Sequence, residues 1–162
     1  MSSALVVAAQ RGDTMAMNDL LAELTPYLGR VCGPIALDSG PDAVQEALIA
    51  VFRHLRELRE PEALYGWARA IAVREAVRIA KRDARSRPEE LGELPSREDV
   101  ERAVDVQDVL ERLSPEHRAV LVLRDLEGVP EEDAARSLRV APGTVKSRLH
   151  RARENFRRAW SS

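Results

Sequence analysis

The residues with the clearest chemical potential lie near the C-terminus, where positive side chains are concentrated. Residues 136–162 hold eight Lys or Arg and one acid, whereas residues 102–135 hold four Arg and nine acids. Guanidinium and ammonium groups bind phosphate oxygens and base edges, and solvated helices usually intersperse the two signs of charge. This segregation therefore predicts a surface that contacts a polyanion, in preference to an amphipathic hairpin with a solvated basic face.

No group of residues that could support catalysis accompanies these cations. The three histidines, His54, His117 and His150, are far apart in the sequence. The chain contains no His-Glu-x-x-His, no Cys-x-x-Cys and no glycine-rich phosphate loop. We predict that the protein is not an enzyme and needs neither a metal nor a cofactor.

The elements that would position the cations are two short helices joined by a tight break. Pro130 opens the first helix, and acids in its first turn suit the positive end of the helix dipole. Residues 139–141 form the break, after which Pro142 restarts the chain. The second helix carries one apolar stripe, at spacings of four, three and four: Val145, Leu149, Ala152 and Phe156. This pattern predicts a helix-turn-helix, whose stripe packs on the preceding helices while its exposed face enters a DNA groove.

Two more helices are predicted just before this motif. Apolar residues recur over residues 104–113 and indicate the first of them. Ser114 and Pro115 then form a cap and a first helical position, and the second helix ends near Gly128. Four helices in under sixty residues indicate a compact C-terminal domain.

The first 85 residues are predicted to be helical throughout. Asp13 or Thr14 caps one helix, and Pro41 begins a second helix after a break at residues 38–41. The second helix carries one apolar face, made of Val44, Leu48, Val51, Phe52 and Leu55. A third helix spans about residues 63–84, and nearly all of its polar positions are basic. Such residues can contact DNA or complement the helix dipole, and charge alone leaves both open.

Composition supports a fully helical protein with two domains. Only 4% of the 162 residues are aromatic, whereas 44% are hydrophobic and 32% are charged. Residues 86–101 hold six acids, two arginines and two prolines, which is typical of a linker. We predict an all-α fold with helical domains at residues 1–85 and 104–162, joined by a flexible acidic linker at residues 86–103.

The single cysteine, Cys32, cannot form an intramolecular disulfide, which suits a reducing cytoplasm. Free cysteines are usually buried, so a small apolar core residue is favoured over a reactive thiol. The apolar residues 4–9 are too few for a signal peptide, and no apolar run reaches membrane-spanning length. These features predict a cytoplasmic protein without a membrane segment.

Two separate stretches resemble one protein family. Residues 42–48, followed by Trp67, residues 71–72 and the basic pair Lys81 and Arg82, resemble region 2 of the bacterial RNA polymerase sigma factors. Residues 113–153, with the run Gly-Thr-Val-Lys-Ser-Arg-Leu-His-Arg-Ala-Arg, resemble region 4 of the same family. With only these two regions and a short linker, the chain is similar to the small extracytoplasmic-function (ECF, group 4) class of the sigma-70 family.

The resemblance implies a factor that binds core RNA polymerase and directs transcription initiation at promoter DNA. It implies a set of contacts to the −35 element from region 4: Thr144, Lys146, Ser147, Arg148, His150 and Arg151. Contacts to the −10 element are implied for the loop at residues 59–66 and for a set on the third helix: Trp67, Arg69, Arg74, Arg78, Lys81 and Arg82. Core-polymerase contacts are implied for Asp42, Gln45 and Glu46. An anti-sigma factor is a further implied partner, and the chain is expected to be a monomer outside such complexes.

Three positions depart from the family's usual residues. Arg139 replaces a common glycine, and a positive φ there would cost on the order of 1 kcal/mol. Ala141 replaces the usual serine before the recognition helix, which removes a cap worth roughly 1 kcal/mol. Arg74 stands where asparagine is common, so the resemblance does not carry the family's −10 specificity over to this chain.

Two other functions fit parts of the sequence. A stand-alone helix-turn-helix regulator would bind duplex DNA without polymerase, and its N-terminal helices would dimerise or sense a signal. A helical adaptor would use its basic C-terminal helix to bind an acidic protein. The ordered pair of stretches favours a sigma factor over both.

Overall fold

The computed structural model describes residues 1–86 and 105–162, in which all regular structure is helical. The predicted all-α fold is thus confirmed. Residues 1–86 hold four α-helices: α1 (Ser3–Gln10), α2 (Thr14–Ala36), α3 (Gly40–His54) and α4 (Leu64–Ser86). Residues 105–162 hold four more: α5 (Val106–Glu111), α6 (Pro115–Leu121), α7 (Glu131–Leu138) and α8 (Pro142–Ser161). We refer to α1–α4 as the N-terminal group and to α5–α8 as the C-terminal group.

The N-terminal group is built around α2, on which α1, α3 and α4 pack. Leu20, Leu24 and Leu28 are fully buried on one face of α2, as their spacing of four predicts. Asp13 caps this helix, because its carboxylate accepts a hydrogen bond from the Ala16 backbone N–H at 3.0 Å. Cys32 is fully buried in the same core, as predicted.

The prediction that Phe52 lies on the buried face of α3 is wrong. Its side chain is 58% exposed, whereas Val51 is fully buried. At 3.6 residues per turn, Phe52 lies about 140° around the helix from the buried Ala47, so it points away from the core.

Several helix boundaries differ from the predicted ones. A separate helix, α1, precedes the one that Asp13 caps, and it ends before Gly12, which has a φ of 97°. A 3₁₀ turn at Leu37–Ser39 occupies part of the predicted break before α3. The third helix extends through Ser86, and the rest of the predicted linker lies outside the described residues.

In the C-terminal group most helices begin at the predicted signals, but Pro130, predicted as the first residue of α7, precedes that helix, which begins at Glu131. Ser114 caps α6 by accepting a hydrogen bond from the His117 backbone N–H at 3.1 Å. A single helix was expected to run to residue 127, but α6 ends at Leu121 and continues as a π-helix at Val122–Leu126. Of the described helices, none is both long and apolar enough to pass through a bilayer.

The two groups pack against each other in this structure. α6 contacts α2 and α4, and α7 contacts α4, so that buried residues of both groups form one apolar cluster. Arg118 on α6 is only 6% exposed, and its Nε donates a hydrogen bond to the Ile35 carbonyl oxygen of α2 at 2.9 Å.

Candidate nucleic-acid interface

The turn between α7 and α8 has the geometry of a glycine turn without a glycine. Arg139 adopts a left-handed conformation with φ 57° and ψ 44°. The Val140 N–H bonds to the Ala135 carbonyl at 3.0 Å, which closes the six-residue ring of a Schellman motif. Arg139 therefore has a positive φ, at the energetic cost that a Cβ imposes there.

The start of α8 carries no side-chain cap. Ala141 has the extended backbone of a capping residue, with φ −70° and ψ 150°, but its methyl group cannot accept a hydrogen bond. Pro142 is the first helical residue. The first-turn N–H groups of α8 thus lack the oxygen that a serine would supply, and they lie at the end of the helix expected to meet DNA.

The predicted stripe of α8 faces the protein interior. Val145, Leu149 and Ala152 are buried and Phe156 packs against the core, so this prediction is confirmed. Four of the predicted DNA contacts are exposed, in the N-terminal half of the helix and away from this stripe: Lys146, Ser147, His150 and Arg151. Thr144 and Arg148 are half-buried beside them. One helical face thus presents most of the predicted set to solvent.

The basic side chains of α8 fall into two groups, those that lie next to a carboxylate and those that form no ion pair with the described residues. Arg153 donates to both carboxylate oxygens of Asp125, at 2.6 and 3.0 Å, and this pairing lowers the pKa of Asp125. His150 lies 3.4 Å from Glu154 on the same helix. In the described parts of the chain, Lys146 and Arg151 form no ion pair. These two cations are therefore available to a phosphate or a base.

The six residues predicted on α4 do not share one face. At 100° per residue, Trp67, Arg74, Arg78, Lys81 and Arg82 fall within about 100° of one another. Arg69 lies on the opposite side of the helix, where its Nη1 donates to the Tyr27 hydroxyl at 3.4 Å. The structure therefore brings five of the predicted residues together and separates the sixth.

The basic face of α4 is partly covered by the C-terminal group. Arg74 Nη1 donates to the Ser137 carbonyl at 3.3 Å, and Lys81 Nζ lies 2.5 Å from Glu116 Oε1. Burial, and then the charge of Arg139, lower the pKa of Arg74. Arg78 instead donates to Glu75 within α4, at 2.8 and 3.0 Å.

The residues predicted to contact core polymerase lie together on α3. Asp42, Gln45 and Glu46 are exposed at spacings that fall on one helical face. Ile49 and Phe52, 43% and 58% exposed, extend this face by two further turns. Their exposure was not predicted, although apolar residues at these spacings from Asp42 were a readable signal.

An apolar groove on the C-terminal group was also missed. It has a volume of about 480 Å³ and lies between α5, α6, the π-helix and α8, with Pro34 of α2 at one side. Val106, Leu126 and Trp160 near this groove are 53%, 67% and 50% exposed. Large exposed apolar side chains in one area are typical of a protein-binding surface.

Comparison with known proteins gives matches to both helical groups. The family model for region 4 of the sigma-70 factors matches residues 103–156. The ECF RNA polymerase sigma-E factor of Haemophilus influenzae is 33% identical over 174 residues, covering 93% of this chain and 90% of that protein. The ECF sigma factor SigE of Mycolicibacterium smegmatis is 34% identical over 128 residues, which are 72% of this chain and about half (49%) of that relative.

Solved structures share the same fold. The sigma factor RpoE of Bartonella quintana, solved in complex with the anti-sigma factor NepR, superposes with a TM-score of 0.64 at 23% identity. The match covers 89% of this chain and 96% of that one. The arrangement of helices in both groups thus has a counterpart of known structure.

Proposed function

The chain belongs to the ECF sigma factors, which direct transcription initiation by bacterial RNA polymerase, and from this premise we propose how its surfaces divide that task. The similarity extends over both helical groups, which rules out the alternative of a stand-alone helix-turn-helix regulator. The same similarity favours a sigma factor over an adaptor with a basic tail. The protein is proposed to perform no chemistry of its own, and to act in the cytoplasm with the polymerase.

We assign recognition of the −35 element to α8. The observation that carries this assignment is the exposed face of α8, on which Lys146 and Arg151 have no ion-pair partner among the described residues. A helix-turn-helix places the N-terminal residues of its second helix against base edges in the major groove. Ser147 and His150 lie between the two cations on this face, and Thr144 and Arg148 at its sides are proposed as further contacts.

Contact with the −10 element is assigned to the basic face of α4. Arg74, Arg78, Lys81 and Arg82 form a cationic face, with Trp67 at its N-terminal end. Cations that follow a nucleic-acid backbone, next to an aromatic ring on which a base can stack, suit a separated strand. Arg69 faces Tyr27 instead, so we give it a positioning role rather than a direct contact.

Binding of core polymerase is assigned to the exposed face of α3. Asp42, Gln45 and Glu46 supply polar contacts there, and Ile49 and Phe52 supply an apolar centre. Aromatic residues surrounded by polar ones are the usual anchors of a protein interface.

An anti-sigma factor is the proposed partner of the apolar groove on the C-terminal group. The Bartonella quintana relative was solved with such a factor bound. The groove offers Val106 and Leu126 as exposed apolar contacts, and an amphipathic helix is the element that such a surface accommodates.

Addition of the purified chain to sigma-free core polymerase tests the central assignment. We expect the two to co-purify, and we expect the mixture to make run-off transcripts from a subset of a random-sequence promoter library. The variant K146A/R151A is the matched control, since it should retain polymerase binding and lose promoter-dependent transcripts. Absence of both polymerase binding and transcripts for the unaltered chain would reject the proposal.

The role of Arg151 can be resolved more finely once a promoter is known. If it forms a bidentate contact to one base, R151A should cost about 1–3 kcal/mol, and only with the native base at that −35 position. If it contacts phosphate, the loss of affinity should be equal on all sequences. The slope of log affinity against log salt concentration should then decrease in magnitude by about one. Binding titrations on a set of single-base −35 variants distinguish the two.

A further inference from the structure

A basic cleft lies where α4 meets the C-terminal group. Its volume of about 410 Å³ is in the range of pockets that hold small ligands. Four residues of α4 and one of α8 give it five cations: Arg74, Arg78, Lys81, Arg85 and Arg148. Glu116 of α6 is the one acid among the described residues that line it. Positive charge is therefore in large excess in this cleft.

Carboxylates of the chain neutralise two of the five cations. The Glu116 carboxylate lies 2.5 Å from the Lys81 ammonium. Arg78 donates to Glu75 on its own helix, at 2.8 and 3.0 Å. Both of these cations thus have a counter-charge in the folded chain.

The other three cations have no carboxylate at ion-pair distance in the described residues. The side chains of Arg85 and Arg148 form neither an ion pair nor a hydrogen bond there. Arg74 donates to a neutral acceptor, the Ser137 carbonyl oxygen, at 3.3 Å. A guanidinium group presents several N–H donors and forms its strongest hydrogen bonds with anionic oxygens. Most of the donor capacity of these three groups is therefore unused.

A sixth cation adds to the excess at the edge of the cleft. Arg139 is exposed, and its neighbours Leu138 and Val140 line the cleft. Burial, and then the charge of Arg139, lower the pKa of Arg74. The two guanidinium groups therefore repel each other across the contact between α4 and the turn before α8. An anion placed among these cations would replace that repulsion with attraction.

The walls of the cleft suit a compact anion with several charges. Half-buried Val77, Leu138 and Val140 supply apolar surface beside the cations, and hydrogen bonds strengthen where such surface reduces access of water. The cations come from two helical groups, so a single phosphate can reach only some of them. Two or three linked phosphates offer oxygens in several directions, and arginine binds phosphate oxygens in a bidentate manner.

We propose that the cleft binds a small polyphosphate, of the diphosphate or triphosphate class, whose oxygens bridge Arg74 and Arg85 of α4 to Arg148 of α8. The cleft lies between helices, whereas Lys146 and Arg151 lie on the solvent-exposed face of α8, where an extended polymer has room. The inference goes beyond the proposed function and requires neither polymerase nor promoter DNA.

Calorimetric titration of the free chain with inorganic tripolyphosphate tests the site. We expect saturable binding of one tripolyphosphate per chain. A ligand that binds only the folded state also raises the urea concentration at the unfolding midpoint. Orthophosphate at equal ionic strength should bind much more weakly, because it cannot bridge the two groups. Absence of saturable tripolyphosphate binding would overturn the proposal.

The double variant R85A/R148A tests where the anion binds. It should weaken tripolyphosphate binding about ten-fold, since it removes two charge-assisted contacts. Neither side chain forms a hydrogen bond or an ion pair with the described residues, so the unfolding midpoint without ligand should stay nearly unchanged. R85K/R148K keeps both charges and should retain most of the affinity. Unaltered affinity in R85A/R148A would exclude the cleft as the site.

K146A/R151A is the matched control, because it also removes two cations without ion pairs but leaves the cleft intact. We expect it to bind tripolyphosphate almost as the unaltered chain does. Equal losses in the two alanine variants would mean that the anion follows the general positive field of the protein, and would overturn the proposal. Failure of the chain to bind polymerase would refute the proposed function and leave this site standing, whereas failure to bind tripolyphosphate would do the reverse.

Discussion

A single residue, Arg139, separates this helix-turn-helix from one with a glycine in its turn. Arg139 holds φ 57°, and a side chain in the left-handed region costs about 1–2 kcal/mol. Glycine would remove that cost but would lose more conformational entropy on folding, by roughly 0.5–1 kcal/mol. R139G should therefore stabilise the protein by about 0.5–1 kcal/mol, as measured by urea denaturation.

A matched variant distinguishes the strain at Arg139 from its charge. The charge of Arg139 contributes to the lowered pKa of Arg74, so its removal alone could also stabilise the fold. R139A removes the charge but keeps a Cβ in the left-handed region. We expect little gain from R139A, and a gain equal to that of R139G would mean that charge rather than strain is the cause.

Cys32 makes stability depend on pH in a defined direction. Burial raises the pKa of its thiol to about 12, whereas an unfolded thiol ionises near pH 8.5, as a rough reference. Below that pH both states keep the proton and the contribution is constant. Above it only the unfolded state loses the proton, so stability falls by up to about 1.4 kcal/mol per pH unit until the folded pKa is reached.

Comparison with C32A isolates this contribution, because the two proteins share every other ionisable side chain. The cavity left by the substitution lowers stability by a constant amount, whereas the difference between the two proteins should shrink as pH rises from 8 to 10. Urea denaturation at three pH values in that range measures it. If the free energies of unfolding of the two proteins changed in parallel with pH, the Cys32 thiol would have the same pKa in the folded and the unfolded state.

At the scale of the helix, α3 offers the sharpest test of polymerase binding. Phe52 is 58% exposed, so F52S should leave the folding free energy nearly unchanged. If Phe52 anchors core polymerase, its truncation should weaken binding by about 2 kcal/mol or more, roughly thirty-fold. Competition with unaltered chain for immobilised core polymerase measures this loss.

Met15 on α2 provides the control for this experiment. It is 77% exposed and apolar, so M15S removes a comparable surface from another helix of the same group. We expect M15S to bind core polymerase as the unaltered chain does. Similar losses for both variants would indicate a general effect of exposed apolar surface, and would remove α3 from its assigned role.

Local signals in the sequence were sufficient for most elements. Asp13 and Ser114 cap the helices that they were predicted to cap, and Pro142 begins α8. Each of these signals acts within one helical turn, so neighbouring residues determine the outcome. The π-helix after Leu121 was not predictable, because an apolar run fixes burial but not the register of backbone hydrogen bonds.

The candidate site was predictable where one helix carries all of it. The exposed residues of α8 follow from the spacing of its buried stripe. The separation of Arg69 from the rest of the α4 set could also be read from helical periodicity, but a count of basic residues overlooks it. The covering of Arg74 and Lys81 by the C-terminal group could not be predicted from the sequence, because it depends on contacts between residues far apart in the chain.

At the scale of the whole molecule, the packing of the two groups had no sequence signature. Arg118 donates to a carbonyl oxygen 83 residues away, and any residue at position 35 would present the same acceptor. Backbone acceptors of this kind make an interface specific without leaving a pattern in the side chains. A sequence can therefore define two helical groups and still leave their contact unknown.

The shared core predicts that the two groups unfold together, and the chain carries its own reporters of that behaviour. It has two tryptophans, Trp67 on α4 and Trp160 on α8. In single-tryptophan variants, W160F reports on the N-terminal group and W67F on the C-terminal group. Their fluorescence transitions in urea should coincide, since a single cooperative transition gives the same midpoint with every probe.

Loss of Arg118 should separate these transitions. Besides Ile35, its guanidinium donates to the carbonyls of Leu110 and Leu113 at 3.2 and 2.5 Å, so it joins the end of α5 to α2. R118A withdraws this donor from buried carbonyls, each of which costs about 1–3 kcal/mol when left unsatisfied. The C-terminal group should then unfold at lower urea concentration than the N-terminal group. R118K, which keeps a cation and part of the bonding, should separate them less. Coincident transitions in R118A would mean that apolar packing alone couples the two groups.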